Sequence, residues 1–159
     1  MDKITSFTIN HLDLLPGIYV SRIDYVNDYP ITTYDIRMTA PNIEPVLHTD
    51  EMHAIEHLAA TFLRNHSTYG NDIIYFGPMG CRTGFYLLMK GDLSSKEVAP
   101  LITSTFEFIR DFNDDVPGAS AKDCGNYLDM NLAMARYQSN KFLNSTLYKL
   151  EDKNLNYPK

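Results

Sequence analysis

The stretch of this chain richest in reactive side chains is His53-Ala54-Ile55-Glu56-His57. Two histidines four apart lie close to one turn apart on an α-helix, because a turn is ~3.6 residues. Both imidazoles can therefore face one metal ion. Glu56, three residues after His53, points the same way and suits a proton carrier beside the ion. At ~100° per residue, His53, Glu56, His57, Ala60 and Arg64 share one side of such a helix. Ile55, Leu58, Ala59, Phe62 and Leu63 share roughly the opposite side. The apolar side packs on a core and leaves a polar side equipped for a metal site. The plain alternative is a solvated face that happens to carry two histidines. The ordered His-x-x-Glu-His pattern, on the side away from the core, favours the metal.

The chain has two cysteines, Cys81 and Cys124. In a reducing compartment both stay thiols, which leaves packing, ligation or catalysis as their uses. Cys124-Gly125-Asn126 leads into a last helix expected over roughly Leu128 to Leu150, so Cys124 would feel the positive helix end as a thiolate. A loop in that position can also fold back on the histidines, which makes Cys124 the third ligand of choice. Two imidazoles and a thiolate leave one coordination position open for water or substrate. Cys81 sits at a glycine-flanked corner, Gly80-Cys81-Arg82-Thr83-Gly84, where backbone can approach a ligand. Cys81 and Glu56 then remain as two proton carriers beside a Lewis acid. A polarised carbonyl acidifies the neighbouring C–H, and two bases can move protons along a carbon chain. A hydrolase would need only the glutamate and a metal-bound water.

The elements that must position these groups follow from local pattern. Pro16-Gly17 marks a turn, and Ile18 to Asp24 reads as a strand. Tyr34, Ile36 and Met38 alternate with Thr33, Asp35, Arg37 and Thr39, the clearest period-2 segment. Asp35 and Arg37 share its second face, either as a surface pair worth little or with Arg37 set in a cleft for a polar substrate. The metal-candidate helix should start at Thr49 or Asp50 and stop at Tyr69-Gly70-Asn71. Ile73 to Phe76 and Phe85 to Met89 are short strands, with a turn at Gly77 to Gly80 between them. Ser94 and Glu97 form a capping box for a second helix, in which Pro100 calls for a kink or a displaced start. The segment after Lys149 is polar and expected to fray.

At 159 residues, 44% hydrophobic and 21% charged, the chain fits one globular domain without a disulfide scaffold. A net charge of −6 argues against non-specific nucleic-acid binding. No apolar run approaches the ~20 residues of a membrane span. The first ten residues lack an apolar signal core, so a cytoplasmic protein is expected.

Several blocks together resemble a known family. They are Ser6-Phe7 with His11, Tyr34-Asp35-Ile36-Arg37, His53 to His57, Pro78-Met79-Gly80-Cys81-Arg82-Thr83-Gly84-Phe85-Tyr86, and Cys124-Gly125. In this order they resemble S-ribosylhomocysteine lyase (LuxS). The resemblance implies an α+β fold, an antiparallel sheet of about four strands packed against helices, in a homodimer with active sites at the interface. It implies cleavage of S-ribosylhomocysteine to homocysteine and 4,5-dihydroxy-2,3-pentanedione, the precursor of the quorum-sensing signal autoinducer-2. It implies one divalent metal per subunit, Fe(II) natively with Zn or Co possible after purification, held by His53, His57 and Cys124. Carbonyl migration along the sugar and β-elimination of the thioether would use Cys81 and Glu56 as proton carriers. Ser6, His11, Arg37, Asp35, Ala60, Arg64 and Tyr86 would contact substrate, with the Ser6–His11 segment and Arg37 serving a site shared with the partner. Tyr75-Phe76-Gly77 departs from the Asp-Ile-Ser of many members, so the grip on the homocysteine ammonium must differ. Two other readings stand beside this one. A small metallopeptidase would recruit Glu107 or Glu151 as third ligand. A structural metal domain would add Cys81 as a fourth.

Overall fold

A computed structural model of the chain describes residues 2–158, without the Thr5 side chain. Four strands form one antiparallel sheet in the order β1-β2-β4-β3. They are β1 (Gly17–Val26), β2 (Tyr29–Arg37), β3 (Ile73–Pro78) and β4 (Gly84–Lys90). Asn27 and Asp28, both at positive φ, turn β1 into β2, as a two-residue hairpin between twisted strands requires. β3 runs through Pro78, so the expected turn at Gly77 begins later, at Met79. There Arg82 donates its N–H to the Met79 carbonyl at 3.0 Å and Met79 donates to Gly84 at 2.9 Å.

One sheet face carries Ile18, Tyr34, Ile36, Phe76, Phe85, Leu87 and Met89, all buried. Helices α1 (Thr49–Arg64), α2 (Ser95–Asp111) and α3 (Leu132–Ser145) supply the other half of that core. Ile55, Leu58, Ala59 and Leu63 of α1, part of the stripe read from the sequence, are buried in it, and Ala54 joins them. Phe62 instead sits half-buried at the edge, stacked on Phe108.

Several boundaries differ from expectation for local reasons. His48 caps α1, with its backbone N–H bonded to the Glu51 carboxylate at 2.7 Å. The helix stops at Arg64, because Asn65 turns back and its side-chain amide donates to the Thr61 carbonyl at 2.8 Å. α2 begins where the Ser94–Glu97 box sets it and passes through Pro100 without a displaced start. Lys96 and Pro100 are exposed, so water can satisfy the carbonyl that Pro100 cannot. α3 starts at Leu132 and not at Leu128. Asn131 is its cap, accepting the Met134 N–H at 3.0 Å. Cys124 therefore lies in a turn closed on the Ser120 carbonyl at 3.0 Å, away from any helix end. The helix-dipole argument for its thiolate falls.

The polar tail does not fray. Asn154 donates its side-chain amide to the Pro16 carbonyl at 2.9 Å, and Tyr157 stacks on Tyr19 with ring centroids 4.8 Å apart. The tail thereby covers part of the sheet face opposite the helices. No helix among the described residues is long and apolar enough to cross a membrane.

Candidate metal centre and thiol cleft

His53 and His57 leave α1 on the side away from the core, and the turn ending at Cys124 folds over them. The ligand atoms of His53, His57 and Cys124 all lie within 4.8 Å of one another. Each imidazole is oriented by a backbone carbonyl: His53 Nδ1 meets Asp129 O at 2.9 Å, and His57 Nδ1 meets Pro117 O at 2.7 Å. A carbonyl only accepts, so each Nδ1 carries a proton and Nε2 is the ring atom left to face an ion. Cys124 Sγ lies 3.4 Å from His53 Nε2. A tetrahedral ion with ~2.3 Å bonds to sulfur and ~2.05 Å bonds to nitrogen would hold these atoms about 3.5 Å apart. The Cys124–His53 separation matches that, and the donor set suits a divalent ion with an open position. Gly118 has φ +73°, and a Cβ there would press on His57 Nδ1 at 3.2 Å, so the loop that orients His57 needs a glycine.

Glu56, His57, Ala60 and Arg64 line one cavity of about 460 Å³, together with Tyr75, Phe76, Pro117 and Gly118. Glu56 is half-buried there. The Arg64 guanidinium donates Nη2 to the Ile74 carbonyl at 2.7 Å, which fixes it at the rim. Tyr75 stands over Gly77, where a Cβ would collide with the phenol ring. The departure Tyr75-Phe76-Gly77 is thus a coupled pair, a large side chain lying in the space a small one vacates.

Cys81 opens into a separate cavity of about 360 Å³, shared with His11, Arg37, Glu44 and Thr83. Its Sγ lies 3.1 Å from Thr83 Oγ1 and 3.7 Å from Arg37 Nη1. Arg37 Nη1 also donates to Thr83 Oγ1 at 2.6 Å. The hydroxyl accepts from the guanidinium and keeps its own hydrogen for the sulfur. Burial by itself would raise the Cys81 thiol. The Thr83 hydroxyl and backbone N–H, and the Arg37 charge, outweigh that and hold it below its ordinary value.

The Asp35–Arg37 pair is not on the surface. The two side chains are 1% and 3% exposed, with Arg37 Nε donating to Asp35 Oδ1 at 3.1 Å and Nη2 donating to Oδ2. Burial works against the Arg37 charge, but the Asp35 carboxylate outweighs it and raises the guanidinium. Asp35 lines none of these cavities and its oxygens are engaged, so as a direct substrate contact it is misplaced. It holds Arg37 instead. Ser6 and Tyr86 line a third cavity of about 410 Å³ on the open sheet face, with Tyr75 and Leu88.

The alternative ligands lie elsewhere. Glu107 accepts from the Tyr148 hydroxyl at 2.8 Å, and Glu151 pairs with Lys153 at 2.8 Å. Cys81 is outside the ligand group among the described residues. Sequence reasoning gave no role to Thr83, although a hydroxyl two residues from Cys81 in the same glycine-flanked turn was a usable signal. It also missed the carbonyls of Pro117 and Asp129, which carry no signal because every residue has a carbonyl.

The family model for S-ribosylhomocysteinase (LuxS) matches residues 4–153. Curated proteins named S-ribosylhomocysteine lyase are similar over 99% of both chains, at 64% identity in Clostridium beijerinckii and 60% in Clostridium acetobutylicum. One from Porphyromonas gingivalis is 54% identical over 99% of both chains. A match of this length and identity, over the residues that build the candidate metal centre and the thiol cleft, places the chain in the S-ribosylhomocysteinase (LuxS) family.

Proposed function

We propose that this chain is a metal-dependent S-ribosylhomocysteine lyase, releasing homocysteine and 4,5-dihydroxy-2,3-pentanedione. The observation that carries the reading is the convergence of two Nε2 lone pairs and one thiol beside a cavity that contains an open carboxylate. His53, His57 and Cys124 would hold one divalent ion per subunit, and the mixed nitrogen and sulfur set suits Fe(II), Zn or Co. Fe(II) is the native choice on the family resemblance. When bound, the ion supplies a Lewis acid for the sugar carbonyl oxygen.

The protein's own groups do the rest. Among the described residues no donor or cation pairs with Glu56, so its carboxylate is free to take a proton from a carbon that points into the 460 Å³ cavity. Cys81, biased towards thiolate, is suited to take or return a second proton. Arg64 at the rim suits a carboxylate of the amino-acid end, and Ala60 leaves room for the chain that joins it to the sugar. Loss of the thioether sulfur follows once a carbanion forms at the carbon adjacent to the one that bears it.

Glu56 and Cys81 open into different cavities of one subunit. We propose that a homodimer joins them, bringing the thiol cleft of one subunit, with His11 and Arg37, against the metal centre of the other. The sheet face away from the helices supports this. It leaves Tyr75 48% exposed, with Ile4 lining the same cavity, and Phe7 and Leu12 of the N-terminal segment are exposed as well. The product's place in signalling or in methyl-cycle recycling, and a cytoplasmic site of action, belong to the same proposal.

The test is free-thiol release from S-ribosylhomocysteine by anaerobic, Fe(II)-loaded protein, read with a thiol-reactive dye. Release that needs metal and disappears in Cys81→Ser is the expected result. A folded, metal-loaded sample that releases nothing overturns the reading. Mixing Cys81→Ser with Glu56→Gln subunits should restore part of the activity. No recovery after demonstrated subunit exchange would refute the shared site.

A further inference from the structure

The sheet face opposite the helices carries Tyr19, Asp35 and Arg37 side by side, since Tyr19 pairs with Asp35 across β1 and β2. The tail crosses this patch. The Tyr157 ring stacks on Tyr19, nearly parallel at 10°, and its hydroxyl donates to Asp35 Oδ2 at 2.9 Å. Burial first, and the Asp35 carboxylate second, push the Tyr157 phenol far above its ordinary value. It therefore keeps its proton and is the donor. Asp35 accepts from Arg37 through both oxygens, and Arg37 reaches Thr83 and Cys81 through Nη1. The bonds are continuous from the tail to the thiol.

We infer that Tyr157 is a positioning residue for Cys81: its hydroxyl fixes the Asp35 carboxylate, Asp35 fixes the Arg37 fork, and the fork sets Thr83 and the thiol. The final torsion of an aspartate is broad, and a carboxylate held from one side by a neighbour on its own strand can still rock. A third bond, from an element far away in sequence, removes that freedom. Hydrogen bonds in such a chain also polarise one another. Tyr157 lies beyond the residues 4–153 that the family model matches. The inference rests on the proposed role of Cys81 only for its consequence in catalysis; the effect on the thiol stands apart from it.

The bland reading is that Tyr157 merely pins the tail to Tyr19. The two separate in the pH profile of Cys81 alkylation by iodoacetamide, followed on the Cys81 peptide by mass spectrometry in the full-length, metal-loaded protein. The other charged or titratable groups around the thiol are His11 and Glu44 in its cleft, Arg82 beside it in sequence and Tyr86 across the sheet, and none is altered. Tyr157→Phe keeps the stacked ring and loses only the hydroxyl. It should raise the alkylation midpoint by about half a pH unit, or ~3-fold slower alkylation below the midpoint. Tyr19→Phe loses a hydroxyl bonded to the Leu15 and Lys153 carbonyls, and should leave the midpoint where it was. A Tyr157→Phe profile that overlays the parent's, or an equal shift in Tyr19→Phe, overturns the inference. The parent protein gives a second reading. Its Arg37 Nε–H should exchange slowly with solvent, and exchange as fast as that of a free arginine would also overturn it. A shifted profile with unchanged turnover would leave the brace standing and remove Cys81 from the proposed chemistry.

Discussion

Removing the Asp35 carboxylate should be among the most damaging single changes the sheet can suffer. The Arg37 side chain is 3% exposed, and Asp35 takes two of its donors. In Asp35→Ala the guanidinium stays in place, partnered by Thr83 and Cys81 alone, and water cannot reach the vacated donors. Leaving one charge of a buried pair uncompensated costs about 3–5 kcal/mol. For a chain of 159 residues, unfolding entropy of ~2.1 cal/mol/K per residue gives ~0.33 kcal/mol/K, so Tm should fall by about 9–15 °C. Tyr157 loses its acceptor in the same variant, which favours the upper part of that range. Asp35→Ala with Arg37→Met should recover most of the loss, because the uncompensated charge has gone and an apolar chain fills its path. Thermal unfolding by far-ultraviolet circular dichroism, on protein of equal metal content, measures both. A fall of less than about 3 °C, one kcal/mol on the same scale, would mean that water reaches the guanidinium. A double variant as unstable as the single one would mean that packing, and not charge, was lost.

Cys124→Ala should lose its metal while keeping its fold, as read by elemental analysis and circular dichroism; retained metal would reopen the search for a third ligand. Glu56→Gln should keep the metal and lose about 10²–10⁴-fold in turnover, the usual share of a positioned acid or base, and near-normal turnover would remove Glu56 from proton transfer. Gly118→Ala strains a residue at φ +73° and pushes on His57, so it should lose about 1–2 kcal/mol of stability and bind metal more weakly in a chelator competition. Cys81 should react with iodoacetamide at a pH where an ordinary thiol does not, because its folded value is lowered, and unfolding should abolish the difference.

How much of this was legible in the sequence depended on how far apart the partners lie. The α1 face was legible because period 3.6 is local: His53, Glu56 and His57 needed only their own helix to line up. The alternation around Tyr34 and Ile36 was legible for the same reason, and it put Asp35 and Arg37 on one face. It could not say what covers that face. The cover is Tyr157, 122 residues away from Asp35, in a tail whose polarity read as solvated. Cys124 was reached through the chemistry of its side chain, and the helix dipole that had supported it proved absent. The real support is a turn on Ser120 that delivers the sulfur to His53, 71 residues away.

The division of labour follows from what helices and strands can fix. One helical turn sets two imidazoles on one side, and two loop carbonyls then set their tautomers without any further side chain. A thiol held below its ordinary value needs a charge close by, and that charge must itself be kept in place. A strand offers neighbours of the same face two residues apart, which is how Asp35 grips Arg37; Thr83 meets Cys81 through the turn at Arg82, whose φ is +58°. The sheet thus builds the charged support, the helix builds the ligand pair, and the two end in separate cavities of one subunit. A reaction that needs both a Lewis acid and two proton carriers must reunite them. An isolated subunit, however well folded and metal-loaded, should therefore bind metal at full affinity and turn over slowly. Turnover should rise with protein concentration until dimers dominate, and turnover per subunit that is independent of concentration across a measured monomer–dimer transition would refute the shared site.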